Sequence, residues 1–151
     1  MKKLLIGILV FSFNVSVFAK ENGFRKIKWE DSISRYENIM QLTSENDKDR
    51  KFYIIEDDDM SFGDISLTSI IYIFYKGKFS SVILQTDQSA TNLKQVLIKL
   101  KNKFGKPLYE NKYTNKYRWQ GETTAVNLKC YSSSHKCSIT YNSVAMSNRK
   151  K

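Results

Sequence analysis

Residues 109–119, YENKYTNKYRW, interleave rings and cations: Tyr109, Tyr113, Tyr117 and Trp119, with Lys112, Lys116 and Arg118 between them. Aromatic faces stack on sugar rings and bases, and Lys or Arg pairs with phosphate or carboxylate. A strand period of two puts Tyr109, Asn111, Tyr113, Asn115, Tyr117 and Trp119 on one side and Glu110, Lys112, Thr114, Lys116 and Arg118 on the other. Two readings follow. In one, Lys112, Tyr113, Lys116, Tyr117, Arg118 and Trp119 form a ligand-binding surface. In the other, Tyr113, Tyr117 and Trp119 pack into the core while the lysine side stays wet. Strand alternation produces the same pattern without a ligand, so the core reading is the default.

Other chemistry is sparse. Cys130 and Cys137 flank YSSSHK, which reads as a hairpin tip with Ser132 to His135 as its loop. Opposed across such a loop, the two cysteines fall within disulfide reach. With His135 they make a poor zinc set, because structural zinc takes four ligands; no metal and no cofactor is expected. His135 is the sole histidine and sits among serines, where no nucleophile, base and orienting acid can be assembled from neighbouring sequence. No catalytic residue is assigned. Glu56, Asp57, Asp58 and Asp59 lack the spaced ligands and central Gly of a calcium loop and read as a solvated turn. There is no phosphate-cradling Gly loop, nucleotide fingerprint or nucleic-acid motif.

The first residues have the layout of a secretory signal. Lys2 and Lys3 precede a short apolar run from Leu4 to Phe13, and Val17 and Ala19 suit cleavage after Ala19. The run is too short to span a bilayer comfortably, since a span takes about 20 residues. Residues 1–19 are therefore expected to be a cleaved signal peptide and residues 20–151 a single exported domain, periplasmic or secreted. No later stretch is long and apolar enough to cross a membrane. Removing Lys2 and Lys3 takes the basic count from 25 to 23 against 15 acids, a net charge of +8. That favours anionic partners such as an envelope polymer or an acidic protein. It carries no information about fold.

The elements that must position these residues follow from periodicity. Phe24 to Trp29 reads as a short extended lead-in. Asp31 or Ser32 then caps an expected helix carrying Ile33, Tyr36, Ile39 and Met40. Lys51 to Glu56, Ile65 to Tyr75 and Phe79 to Gln85 read as strands, with Lys76-Gly77 as a turn. Leu93, Val96, Leu97, Leu100 and Phe104 form the stripe of a second helix that stops at Gly105 and Pro107. Tyr109 to Trp119 is expected to be one strand, followed by the cysteine-linked hairpin over residues 123–131 and 136–144 and a frayed SNRKK tail. The expected fold is α+β: an antiparallel sheet of about six strands with two helices on one face, built as two helix-plus-three-strand units. Ile70 to Tyr75 is apolar at consecutive positions, as in a strand covered on both sides. The second cover is a partner, a dimer mate or a loop.

GFRKIKWEDSIS, FYKGKFSSV, LKNKFGKP and the late strand SITY resemble an uncharacterised family of small exported bacterial proteins. Its members share a Gly-Phe-Arg-x-Ile-x-Trp-Gly entry and a Phe-Tyr-Lys-Gly-Lys-Phe hairpin. The likeness runs from about Gly23 to Tyr141, with FYKGKF its most specific piece. Glu30 stands where that family has Gly. The resemblance implies an exported single domain and carries over no site residue. The expected function is a non-enzymatic periplasmic or secreted binding protein, an inhibitor or immunity-type protein being one concrete form. The alternative is a small hydrolase acting on cell-envelope material, which would need two facing carboxylates or His135 against an acid.

Overall fold

The structure is a computed structural model that describes residues 21–45, 48–89 and 91–149. The expected signal peptide and the start at Lys20 lie outside the described residues. The chain opens with a two-stranded hairpin, β1 (Gly23–Phe24) and β2 (Ile27–Lys28), followed by a single 3-10 turn at Ile33–Arg35. β3 (Met40–Glu45), β4 (Arg50–Ile55), β5 (Ser61–Phe62), β6 (Ile65–Tyr75) and β7 (Lys78–Thr86) come next. Helix α1 (Asn92–Phe104) leads to β8 (Tyr109–Asn111), β9 (Lys116–Gln120), β10 (Thr124–Cys130), β11 (Cys137–Ser143) and a short α2 (Val144–Asn148).

The protein is thus mostly β, and the six-strand, two-helix expectation is corrected. A nine-stranded antiparallel sheet runs β3-β4-β6-β7-β11-β10-β9-β8, with β5 attached only to β6. Two meanders meet where β7 pairs with β11. The first expected helix is replaced by the 3-10 turn and β3. Ile33, Tyr36, Ile39 and Met40 have helical spacing, but Met40 to Glu45 pairs with β4, Met40 facing Ile55 and Leu42 facing Tyr53. Pairing there extends the sheet by one strand and buries Met40 in the core, a long-range gain that overrides the weak helical period. Asp31 organises the turn instead. Its carboxylate accepts from Lys28 N–H (3.1 Å), Arg35 (3.0 Å) and Tyr36 OH (2.6 Å). Burial works against its ionisation, but the Tyr36 hydroxyl, the Lys28 N–H and the Arg35 charge together hold its carboxyl below the usual range.

The stretch 109–119 is also corrected: it is a hairpin, not one strand. Asn111 accepts the Thr114 N–H at 3.1 Å, and Asn115 takes a left-handed φ of 51°. Asn serves both purposes, closing a turn with its side chain and tolerating positive φ. Lys76-Gly77 forms the two-residue turn between β6 and β7, both with positive φ, which matches the twist of paired strands. At Gly23 the reason for glycine is proximity, since a Cβ there would lie 2.1 Å from the Ile27 carbonyl oxygen.

One sheet face is covered. Val96, Leu100 and Phe104 of α1 press onto it, with Leu93 and Leu97 partly buried beside them. Over its middle lies the β1–β2 hairpin. Phe24 sits between Tyr72 and Tyr141, and Trp29 stacks on Phe79 at 4.8 Å. The buried indole N–H of Trp29 donates to Thr124 Oγ1 at 2.7 Å. Buried Asn92 at the start of α1 is likewise satisfied, donating to Thr86 Oγ1 and to the Asp87 carbonyl. Residues 56–59 are not uniformly a solvated turn. Asp58 is nearly buried, pairs with Arg25 and accepts the Tyr72 hydroxyl at 2.7 Å, pinning the hairpin to the sheet. Burial, then the Asp58 carboxylate, raise the Tyr72 phenol well above its ordinary value. In the tail, Ser147 and Asn148 belong to α2, and Arg149 pairs with Glu30 at 2.6 Å.

Candidate functional site

Strand pairing divides the aromatic-cationic segment among three places. Tyr117 and Trp119 point into the covered face. Trp119 is 1% exposed, and its indole N–H donates to the Gly105 carbonyl at 2.9 Å. Tyr117 is buried beside it, with ring centroids 6.4 Å apart. Burial, and secondarily Glu110, raise the Tyr117 phenol. Lys112 and Tyr113 lie on the β8–β9 turn, where Tyr113 is 99% exposed and touches no core. Lys116 and Arg118 project from the opposite, outer face of the sheet.

The outer face has a gradient across it. One row of facing residues reads Ile71, Ile83, Thr140, Asn127, Arg118, Tyr109. A second reads Phe52, Ile73, Ser81, Asn142, Ala125, Gln120. A third reads Ser69, Gln85, Ser138, Lys129, Lys116, Asn111. Each row passes from the N-terminal meander to the C-terminal one, and the first two begin with apolar residues. The gradient ends in Lys116, Arg118 and Lys129, with Tyr109 and Tyr131 at the margin.

Two features of this end bear on chemistry. Lys116 and Lys129 face each other directly across β9 and β10. Like charges so placed are destabilising. Among the described residues, no carboxylate forms an ion pair with Lys112, Lys116, Arg118 or Lys129. Arg118 donates to Gln120 at 2.7 Å, and the Lys129 ammonium lies 4.4 Å from the Tyr131 ring centre. The patch can hold an anion from solution. Sequence reasoning found Lys116 and Arg118 but missed Lys129 and Tyr131. They lie on another strand, and only the register brings them alongside.

Elsewhere Cys130 and Cys137 face each other as the last pair of β10 and β11 and are joined as a disulfide, with Cα atoms 4.1 Å apart. His135 is exposed in the tip, with a left-handed φ of 56°. A hollow of about 240 Å³ beside it is lined by Leu93, Asn115, Cys130, Tyr131 and Ser132, with no carboxylate among the lining residues. A larger groove of about 480 Å³ lies at the other end of the covered face, with Leu42, Tyr53 and Phe74 among its lining residues. No cluster among the described residues is suited to hold a metal ion, and no described helix is long and apolar enough to cross a membrane. Comparison with curated proteins and with solved structures finds no significant match. The family model of the TP0088 domain matches residues 22–150, nearly the whole of the folded chain, and the protein belongs to that family.

Proposed function

We propose that this is an exported, non-enzymatic binding protein whose outer sheet face engages an anionic envelope polymer in the periplasm or outside the cell. The observation that carries the reading is the Lys116–Lys129 pair, flanked by Arg118 and supplied with no carboxylate by the described residues. Opposed lysines cost stability in the free protein. A polyanion laid across β9 and β10 would relieve that repulsion and gain from both charges. The leader-like residues 1–19 support export, and the net positive charge supports attraction to envelope phosphates and carboxylates. An inhibitor or immunity-type protein is a concrete form of the same reading if the polymer is an acidic protein surface. Binding is favoured over envelope hydrolysis because the hollow at His135 offers the imidazole no acid.

The test is an anisotropy titration with fluorescently labelled dextran sulfate, comparing the wild type with a Lys116→Glu, Lys129→Glu variant at low and high salt. The wild type should bind and should weaken as salt rises, because exposed charges are screened within about 10 Å at 0.1 M. The double reversal should bind at least about tenfold more weakly, a difference of about 1.4 kcal/mol. Equal binding by the two proteins would refute the site.

A further inference from the structure

At the cationic end of the sheet two hairpin tips meet. Asn115, the last residue of the β8–β9 turn, accepts the Cys130 N–H at its backbone carbonyl (3.1 Å), and its side-chain amide donates to Ser132 Oγ (3.1 Å). The β10–β11 tip is closed by Tyr131, whose N–H donates to the Lys136 carbonyl at 2.9 Å and whose carbonyl accepts the His135 N–H at 2.8 Å. Asn92 of α1 donates to the His135 carbonyl at 3.4 Å. The hollow of about 240 Å³ lies between these tips and the first turn of α1. Its walls are built on backbone that three elements hold in place.

The lining suits a hydroxyl-rich ring. Tyr131, 46% exposed, supplies an aromatic wall and half-buried Leu93 an apolar one. The polar groups are the amide of Asn115, the hydroxyl of Ser132 and the imidazole of His135, with neither a carboxylate nor an ammonium among the lining residues. The Asn115–Ser132 bond uses one amide N–H and one hydroxyl lone pair, which leaves an amide oxygen to accept and a hydroxyl hydrogen to donate. A sugar ring offers the matching surfaces, C–H groups for the walls and hydroxyls for the polar atoms. At about 240 Å³ the hollow is smaller than the roughly 300–1,000 Å³ of pockets that enclose drug-sized ligands, so it takes one ring and not a longer segment.

Charge selects the kind of sugar. Tyr131 belongs to the hollow and to the cationic patch at once, since the Lys129 ammonium lies 4.4 Å from its ring centre. Lys116 follows Asn115 in the chain and faces Lys129 across the strands. A ring seated against Tyr131 therefore has two ammonium groups at its edge. A chain of phosphates would meet those lysines and leave the hollow empty. On the polyanion reading of Lys116 and Lys129, on which this step rests, we propose that the ligand is an acidic polysaccharide. One ring lies in the hollow against Tyr131 and Leu93, with its hydroxyls on Asn115, Ser132 and His135 and its acidic group toward Lys116 and Lys129.

The test is a pair of anisotropy titrations on protein recovered from an exporting host, one with labelled hexagalacturonate and one with labelled linear polyphosphate of matched charge. The wild type should bind hexagalacturonate at least about tenfold more tightly than polyphosphate. The ratio should widen as salt rises, because salt screens the lysines and leaves stacking and hydrogen bonds in place. Tyr131→Ala should lose the preference, and Tyr131→Phe, which keeps the ring, should retain it. Asn115→Gly with Ser132→Ala removes both polar groups while glycine keeps the left-handed φ of 51° at residue 115. That variant should bind hexagalacturonate about tenfold more weakly and polyphosphate as the wild type does. Equal affinity for the two polymers, or a preference that survives Tyr131→Ala, would overturn the subsite. Tighter binding of a single-stranded oligonucleotide of the same charge would overturn it too. Dextran sulfate and polyphosphate held through Lys116 and Lys129, with no preference for the sugar acid, would sink the subsite and leave the polyanion reading standing. No binding of any of the three polymers would overturn both.

Discussion

The C-terminal meander closes its inner face beneath α1, where Val96, Leu100 and Phe104 meet Leu128, Ile139 and Tyr141 in one buried cluster. α1 also reaches the N-terminal meander at β6, beside which its Lys99 pairs with Asp64 at 2.6 Å, but the rest of that inner face depends on the β1–β2 hairpin, held down by Phe24 and Trp29 and pinned by Arg25 on Asp58. Beyond the hairpin the floor of Leu42, Tyr53 and Phe74 lies open as a groove. The outer face is apolar at Phe52, Ile71 and Ile73 in the N-terminal half and cationic at Lys116, Arg118 and Lys129 in the C-terminal half. A helix buries a wide stripe by side-chain contact alone. A two-residue strand pair cannot, and it depends on a few polar and aromatic pins. The C-terminal half should therefore be lost by deleting core volume, and the N-terminal half by deleting a pin.

The largest effect is expected at Trp119. It is fully buried, hydrogen-bonded to Gly105 and stacked with Tyr117, so Trp119→Ala removes volume and leaves a carbonyl without its donor. Chemical denaturation should show a loss of about 3–5 kcal/mol, the range for large aromatic truncations in a core. An unchanged unfolding midpoint would contradict the packing of the C-terminal half.

A smaller loss is expected from Cys130→Ser. The bonded cysteines are separated by 7 in sequence, so the loop they close is short. The chain-entropy account then gives at most about 2.5 kcal/mol. The neighbouring Cys137 N–H is held by Thr86 Oγ1 at 2.9 Å, so the tip should keep its place without the bond. Thermal unfolding of the oxidised wild type against the variant measures the difference, and a collapse of the whole fold would mean that α1 and β11 rely on the disulfide more than their packing suggests.

Asp58→Asn tests the other half. The substitution keeps the shape and an acceptor for Tyr72 but removes the charge facing Arg25. Arg25 is 28% exposed, so the expected cost is about 1–2 kcal/mol, between that of a surface pair and a buried one. Amide exchange carries the sharper signal. Protection should fall in β1 and β2 and stay unchanged in β10 and β11, because local openings follow local pins. Equal loss in both halves would show that the sheet opens as one unit.

What could be read in the sequence follows the same division. The stripe of α1, the Lys76-Gly77 turn and the cysteine hairpin are local signals, set by periodicity and turn chemistry within a few residues. The first expected helix does not form: Ile33, Tyr36, Ile39 and Met40 satisfy a helical period, but pairing with β4, more distant in sequence, decides the outcome. Asn111 and Asn115 look merely unfavourable to a helix when they in fact close a turn. In the candidate site, Lys116 and Arg118 were visible as charges, but that Tyr117 and Trp119 turn inward together while Lys129 comes alongside depends on strand register, which a single sequence does not specify. Asp58 was hidden for the same reason: nothing in a run of acids marks the one that meets Arg25.

The smallest effect concerns the entry to the N-terminal half. Glu30 has a φ of 67°, in the left-handed region that costs a residue with a Cβ about 1–2 kcal/mol. Its N–H donates to the Phe79 carbonyl at 2.9 Å and the Asp31 carbonyl accepts from Phe79 N–H, so the turn is fixed by the end of β7 and cannot relax. Glycine would relieve the steric cost but would add freedom to the unfolded chain, worth about 0.4–1 kcal/mol in the other direction. It would also remove the Glu30–Arg149 pair, which is exposed and worth at most about 1 kcal/mol. Glu30→Gly against the wild type should therefore be nearly neutral and is a poor test alone. Glu30→Ala loses the same ion pair but keeps the Cβ, so the comparison of the two variants cancels the pair. Glu30→Gly should be more stable than Glu30→Ala by about 0.5–1 kcal/mol in urea unfolding, the reverse of their order in ordinary helix or strand positions. An alanine variant as stable as the glycine one would mean that this turn is not left-handed, and that the hairpin approaches β7 by another path.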